Sequence, residues 1–154
     1  MRIAKKSDWK NKELPKKRIV VDLDIIFDEK EMTLIKRGFV PSAMEDKWFI
    51  YYENNKLFFH RSWTGSCFYI VYFKVEDNNY KIIKAEINRD SEEYSETNDE
   101  KDKKLISYII DLILLQKEAV FPSDEESTEN SALENWSFVG RAMFDNKKME
   151  SDEI

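Results

Sequence analysis

Cysteine, histidine, glycine and proline are nearly missing from this chain of 154 residues, which carries one, one, three and three of them. A single cysteine, Cys67, leaves no internal disulfide, and a single histidine, His60, leaves no zinc-ligand spacing. Both facts suit a reducing compartment, so a cytoplasmic protein is expected. Three glycines exclude a phosphate-loop or dinucleotide fingerprint, and no cofactor is expected. So few breaking residues also imply that most of the chain is regular structure. Long apolar runs are absent too. The longest, Ile109-Ile110-Asp111-Leu112-Ile113-Leu114-Leu115, is too short and too interrupted to span a bilayer. Residues 1–8 hold no apolar stretch of signal-peptide length, so neither secretion nor membrane insertion is expected.

What is present fits one globular domain: 42% hydrophobic residues and a high aromatic share of 14%, which favours sheets and stacking surfaces. The net charge of −6 is unevenly spread. Residues 1–18 carry eight Lys/Arg against two Asp/Glu, a net of +6. Residues 118–154 carry three against ten, a net of −7. The expected organisation is a basic N-terminal arm at 1–17, a single α+β domain at 18–144 and an acidic C-terminal tail at 145–154. A basic arm can grip nucleic acid. In a chain acidic overall, pairing with the acidic tail is the plainer reading, and no nucleic-acid partner is expected.

Residues 18–27 read as a strand broken by Asp22 and Asp24. Residues 28–37 read as a short helix, with Asp28 as N-cap, acidic residues in the first turn, Lys36 and Arg37 in the last, and Gly38 as the stop. Strand-like segments follow at about 48–53, 56–63, 66–77 and 80–89, separated by Asn54-Asn55, Thr64-Gly65 and Asn78-Asn79. Asn tolerates positive φ, so these dipeptides suit tight hairpins, and three in succession make a four-stranded antiparallel meander. A helix at about 99–117, capped by Thr97 or Asn98, places Leu105, Tyr108, Ile109, Leu112 and Leu115 on one stripe and should cover the sheet. Phe121-Pro122 ends it, residues 123–131 are a solvated linker, and 133–144 hold enough apolar residues to dock a short terminal element.

Tight turns fix register, and register decides which side chains share a face. The three turns pair Trp48 with Arg61, Arg61 with Phe68, and Phe68 with Arg89. Two core rows then stand beside them, Tyr52/Leu57/Tyr72/Ala85 and Ile50/Phe59/Ile70/Ile87. The opposite face would carry Phe49/His60/Tyr69/Asn88 and Tyr51/Phe58/Val71/Glu86. On this register Arg61 and Arg89 lie about 10 Å apart on one face, framed by Trp48 and Phe68, with Trp63 and Thr64 at the turn. Guanidiniums framed by aromatic faces suit an anion attached to a planar group, and the N-terminus of the 99–117 helix would add to the field. The competing reading is that each arginine stacks on a tryptophan or pairs with Glu45, Asp46 or Asp90.

The remaining candidates are weaker. His60 titrates near neutrality and would need Glu86 as an orienting carboxylate to act as a base. A lone histidine among aromatics is more often structural. Cys67 reads as a small buried apolar residue too far from His60 to pair with it. Ser62 and Thr64 suit backbone capping better than nucleophilic catalysis. The carboxylates of Asp90 to Asp102 lack calcium-loop spacing and read as solvated, and no metal is expected.

The segments Glu45-Asp46-Lys47-Trp48, Phe59-His60-Arg61-Ser62-Trp63-Thr64-Gly65 and Asn88-Arg89-Asp90 resemble the EDKW…FHRSWTG…NRD pattern of an uncharacterised family of small microbial proteins, over about residues 38–144. Such domains are associated with ADP-ribose-processing domains. The resemblance implies a shared site and, by that association, a nucleotide-type ligand; it implies no activity. The expected function is therefore a small-molecule module, non-catalytic or weakly so, for an anionic nucleotide- or ADP-ribose-like ligand held at Trp48, Arg61, Trp63, Thr64, Phe68 and Arg89, in a setting such as defence or counter-defence. Two alternatives stand beside it: a protein-contact or homo-oligomer module using an aromatic face of Phe49, Tyr51, Phe58 and Tyr69, and a hydrolase using His60 and Glu86.

Overall fold

A computed structural model describes residues 3–118 of the chain. The linker at 123–131, the docked element at 133–144, the tail at 145–154 and the helix stop at Phe121-Pro122 lie outside the described residues. Five antiparallel strands form one sheet: β1 (Arg18–Phe27), β2 (Trp48–Glu53), β3 (Lys56–Arg61), β4 (Cys67–Glu76) and β5 (Asn79–Asn88), in the spatial order β1-β5-β4-β3-β2. The meander is as expected, and the N-terminal strand extends it to five by pairing with β5. Two helices, α1 (Glu29–Arg37) and α2 (Asp99–Ile109), pack on one side, so the fold is α+β. Among the described residues no helix is long and apolar enough to cross a membrane.

Local sequence explains the helices. Asp28 caps α1 by accepting from the Glu31 amide at 2.8 Å while Glu31 reaches back to the Asp28 amide at 3.1 Å, a reciprocal cap worth about 1 kcal/mol. Asn98 caps α2, accepting from Glu100 and Lys101. Leu105, Tyr108, Ile109, Leu112 and Leu115 are all buried, as their spacing requires. Beyond Ile109 the helix widens into a π-helical turn, Ile110–Leu114, and the chain turns at Gln116, whose φ is 56°.

Turn chemistry sets the register. Asn54 and Asn55 adopt φ of 53° and 61°, and β2 and β3 pair as expected, Trp48 opposite Arg61 and Ile50 opposite Phe59. The other two registers differ from expectation. The β4–β5 turn is Asp77-Asn78, at φ 44° and 68°, rather than Asn78-Asn79, and a bulge at Ile83 shifts the ladder again. Between β3 and β4 the connection runs over residues 62–66, and Phe59 pairs with Tyr69 whereas His60 pairs with Cys67, leaving Phe68 as an extra residue. Tyr69 and Val71 therefore face the helices, and the core rows are Ile50/Phe59/Tyr69/Ile87 and Tyr52/Leu57/Val71/Ala85. Ile70 and Tyr72 turn the other way, opposite Glu86 and Lys84.

The basic arm expected ahead of the domain is packed onto it. Ala4 and Trp9 lie with Phe49, Tyr51, Phe58 and Val40 in a second apolar cluster on the sheet's other side, and Leu14 is buried. Ala4 donates its amide to Arg37 O at 2.7 Å and Lys12 to Gly65 O at 2.8 Å. The aromatic face proposed as a protein contact is thus largely internal: Phe49 and Tyr51 are buried, Phe58 is half-buried, and Tyr69 is in the main core. Beside β2, Phe39 exchanges both backbone hydrogen bonds with Ile50. At the far edge, β1 bulges between Asp22 and Ile25.

Gly38 links α1 to that bridge at φ 64°, ψ −157°, a region open essentially to glycine alone. A Cβ there would stand 2.2 Å from the Ile50 carbonyl oxygen. Gly38→Ala is expected to lower the unfolding free energy by about 2–3 kcal/mol, measured by urea denaturation; a loss below half of that would remove the assigned role.

Candidate functional site

The His60-to-Gly65 turn is held from three directions by its own polar atoms. Ser62 Oγ donates to Asp46 O at 2.6 Å and the Ser62 amide to Lys47 O at 2.9 Å. Trp9 Nε1 donates to Ser62 O at 2.7 Å, and Trp63 Nε1 to Met44 O at 2.9 Å. Thr64 Oγ1 accepts from the Ser66 amide at 3.1 Å, and Gly65 bends the chain at φ 80°. The connector is fixed in turn by buried Asp46, which accepts from the amide and hydroxyl of Ser42.

Arg61 leaves this turn toward the helix side. Its guanidinium carbon lies 4.7 Å from the Trp48 ring centroid and 5.7 Å from that of Phe68, a cation–π arrangement that confines the charge to one position. Burial pulls its pKa down to about 10, with the hydroxyls of Tyr69 and Tyr94 acting the other way; it remains a cation at neutral pH. A cleft of about 310 Å³ opens beside it, lined by Lys47, Arg61, Trp63, Thr64, Phe68 and Glu93, with Ser62 at its back. Lys47 Nζ sits 4.3 Å from the centre of the Trp63 ring. Of the six expected ligand residues, four line the cleft. Trp48, fully buried, is the floor beneath Arg61.

Arg89 is the correction. It ends outside the cleft, donating to Asp99 Oδ1 at 2.9 Å, to Asp102 Oδ2 and to Asn88 O. Burial lowers its pKa, but the hydrogen bonds it donates to Asp99 and Asp102 outweigh that and raise it overall. Asp102, 0% exposed, also accepts from Tyr94 Oη, and Tyr94 Oη shares a 2.7 Å hydrogen bond with Tyr69 Oη. Burial pushes Asp102, Tyr69 and Tyr94 above their ordinary values. The positive end of α2 is thus met by its own first-turn acids. Asp102 had read as one solvated carboxylate among many, yet it stands three residues before Leu105 and seven before Ile109, on the buried stripe. That periodicity was the available signal. Lys47, beside Trp48, and Glu93, in the 90–98 loop, offered none.

The hydrolase pair is not assembled. His60, 2% exposed, bonds Gly65 O through Nδ1 at 2.9 Å and stacks on Tyr51 at 5.7 Å and 9°. Glu86 is held by Arg18 at 3.0 Å and by Tyr72 Oη; burial would raise its pKa, and those two bonds bring it down. Cys67 stands directly opposite His60 in the ladder, closer than expected, but burial pushes its thiol up to about 12 and Sγ is turned to Tyr69 O. Among the described residues no group of His, Cys, Asp or Glu is placed to hold a metal ion. Comparison with protein-family models, with curated proteins and with solved structures finds no match to this chain.

Two outcomes follow. Arg89→Ala leaves Asp102 buried without its cation and should cost about 3–5 kcal/mol in urea denaturation. Adding Asp102→Ala should cost far less than the sum of the two single losses; strict additivity would dissolve the pair. Separately, burial lowers the His60 pKa below 6.5, assisted by Lys6. Between the lowered value and 6.5 the unfolded chain binds the extra proton. Stability is therefore complete above about pH 6.5 and is lost as pH falls through the folded value, with a slope no steeper than about 1.4 kcal/mol per unit. His60→Phe should flatten that slope in thermal melts from pH 7 to 5; an unchanged slope would assign it to other groups.

Proposed function

We propose that the chain is a non-catalytic cytoplasmic module that binds a small anionic ligand, of nucleotide or ADP-ribose type, in the cleft beside Arg61. The observation that carries this reading is the placement of Arg61. Its guanidinium is confined by Trp48 and Phe68 at the wall of a 310 Å³ cleft that also gathers Lys47, Trp63 and Thr64. A cation already fixed by packing loses little freedom when an anion arrives. Thr64 adds a hydroxyl for a phosphate or sugar oxygen, and Glu93 an acceptor for a sugar hydroxyl. Two cations set against one carboxylate leave the cleft suited to a hydroxylated anion rather than to a cation.

Arg89 has no part in this reading, because Asp99 and Asp102 hold it. Thermal melts with ADP-ribose, ADP and AMP are the test. A ligand at a hundred times its Kd stabilises the fold by about 2.7 kcal/mol. That shift should vanish in Arg61→Gln and persist in Arg89→Lys. Absence of any shift with all three compounds, or its persistence in Arg61→Gln, would sink the proposal.

A further inference from the structure

Trp63 stands between two recesses. One is the cleft beside Arg61. The other, about 530 Å³, is lined by Trp9, Lys10, Pro41, Ala43, Met44 and Trp63, and Ser62 and Trp63 border both. Trp63 is 58% exposed and Met44 75%. An exposed tryptophan that is nonetheless fixed is the informative feature. Its Nε1 donates to Met44 O, and Trp9 Nε1 donates to Ser62 O, so the polar edges of both indoles are satisfied within the protein. Lys47 lies over the Trp63 ring and Trp9 packs in part on the Phe49 cluster; the indole surface left to the recess is an apolar wall whose position is already set, which lowers the entropy lost when a flat group stacks on it. Met44, unbranched and polarisable, can adapt to that group. The volume is in the range of pockets that take an organic ligand and exceeds what an inorganic anion fills.

We infer that the two recesses form one bipartite site: the ligand's phosphate lies at Lys47 and Arg61, and a planar ring attached to it lies in the Trp9/Met44/Trp63 recess. This rests on the anion reading above and gives the base of that ligand a place of its own, which an inorganic or plain sugar phosphate would leave empty. The cations stand on one side of Trp63 and the wide, mainly apolar recess on the other, so a ligand with a charged end and a flat end matches both halves. Lys10 adds a further cation at the rim of the recess.

Calorimetric titration of the full chain with ADP, ribose 5-phosphate and pyrophosphate tests it, with tryptophan fluorescence followed in parallel. ADP should bind at least about tenfold tighter than either of the others, as base stacking on an indole provides, and should quench the fluorescence. Met44→Ser, an exposed change that keeps the backbone carbonyl Trp63 donates to, should weaken ADP at least threefold and leave pyrophosphate unaltered. Arg61→Gln should weaken both compounds. Equal affinities for ADP and pyrophosphate, or ADP binding indifferent to Met44→Ser, would overturn the bipartite site while leaving the anion reading intact. No binding of any of the three by the unmodified chain would overturn both.

Discussion

Successive side chains on a pleated strand point to opposite faces, so two neighbours can share a face only where the ladder takes up an extra residue. Phe68 is that residue in β4. Because of it, Phe68 and Tyr69 both stand on the helix side, within 5.7 and 6.0 Å of the Trp48 ring centre. Phe68 supplies one face of the aromatic seat that holds the Arg61 guanidinium. Tyr69 supplies the hydroxyl that enters the buried polar chain through Tyr94. A regular ladder would deliver one or the other. The cleft and the brace beneath it both descend from a single irregularity in strand pairing.

The brace has its own logic. Asp102, Tyr94 and Tyr69 connect the first turn of α2 to the centre of the sheet through hydrogen bonds alone, and Arg89 closes the chain from the end of β5. Buried polar groups are tolerable only when each has a partner. Here they have them, at the cost of committing the Arg89 guanidinium to Asp99 and Asp102. The aromatic ring of Tyr94 packs at 4.4 Å from Phe68, so the polar chain and the aromatic seat support each other. Fixing α2 also fixes one side of the cleft, through the loop that carries Glu93.

Much of this was legible in the residues. The capping pair Asp28 and Glu31, the Asn54-Asn55 turn and the apolar stripe of α2 are local signals, and local physics decided them. The sheet's inner registers were not legible, because Asp77, Asn78 and Asn79 all accept positive φ and the dipeptide that turns is chosen by what the strands bury. Likewise, Thr64-Gly65 looks like a two-residue hairpin, but Ser62 and Trp63 spend their polar atoms pinning a longer loop to distant backbone, and Thr64 caps the Ser66 amide within it. The N-terminal segment reads as a free arm by its charge, but Ala4, Trp9 and Leu14 anchor it, and three apolar anchors among seven cations do not show in a net charge. The pairing of Arg61 with Trp48 was legible, because the one correctly read turn secured it. The expected partnership of Arg61 with Phe68 survived the wrong register because the bulge returned Phe68 to the same face.

The two borders of the sheet carry one last consequence. A strand at a border presents unpaired amides and carbonyls to any passing chain, and a sheet with two such borders can in principle grow into a fibre. In this protein β2 is answered by Phe39, which takes up the hydrogen bonds of Ile50. On the other side β1 is interrupted by its bulge and carries exposed Asp22 and Asp24 beside it. Val20, Ile26, Val75 and Ile83 are large, apolar and exposed, a composition that would invite stacking of copies if the strands could extend in register. With Ile50 taken up by Phe39 and β1 bent and acidic, neither border offers a long regular ladder for a second copy to extend.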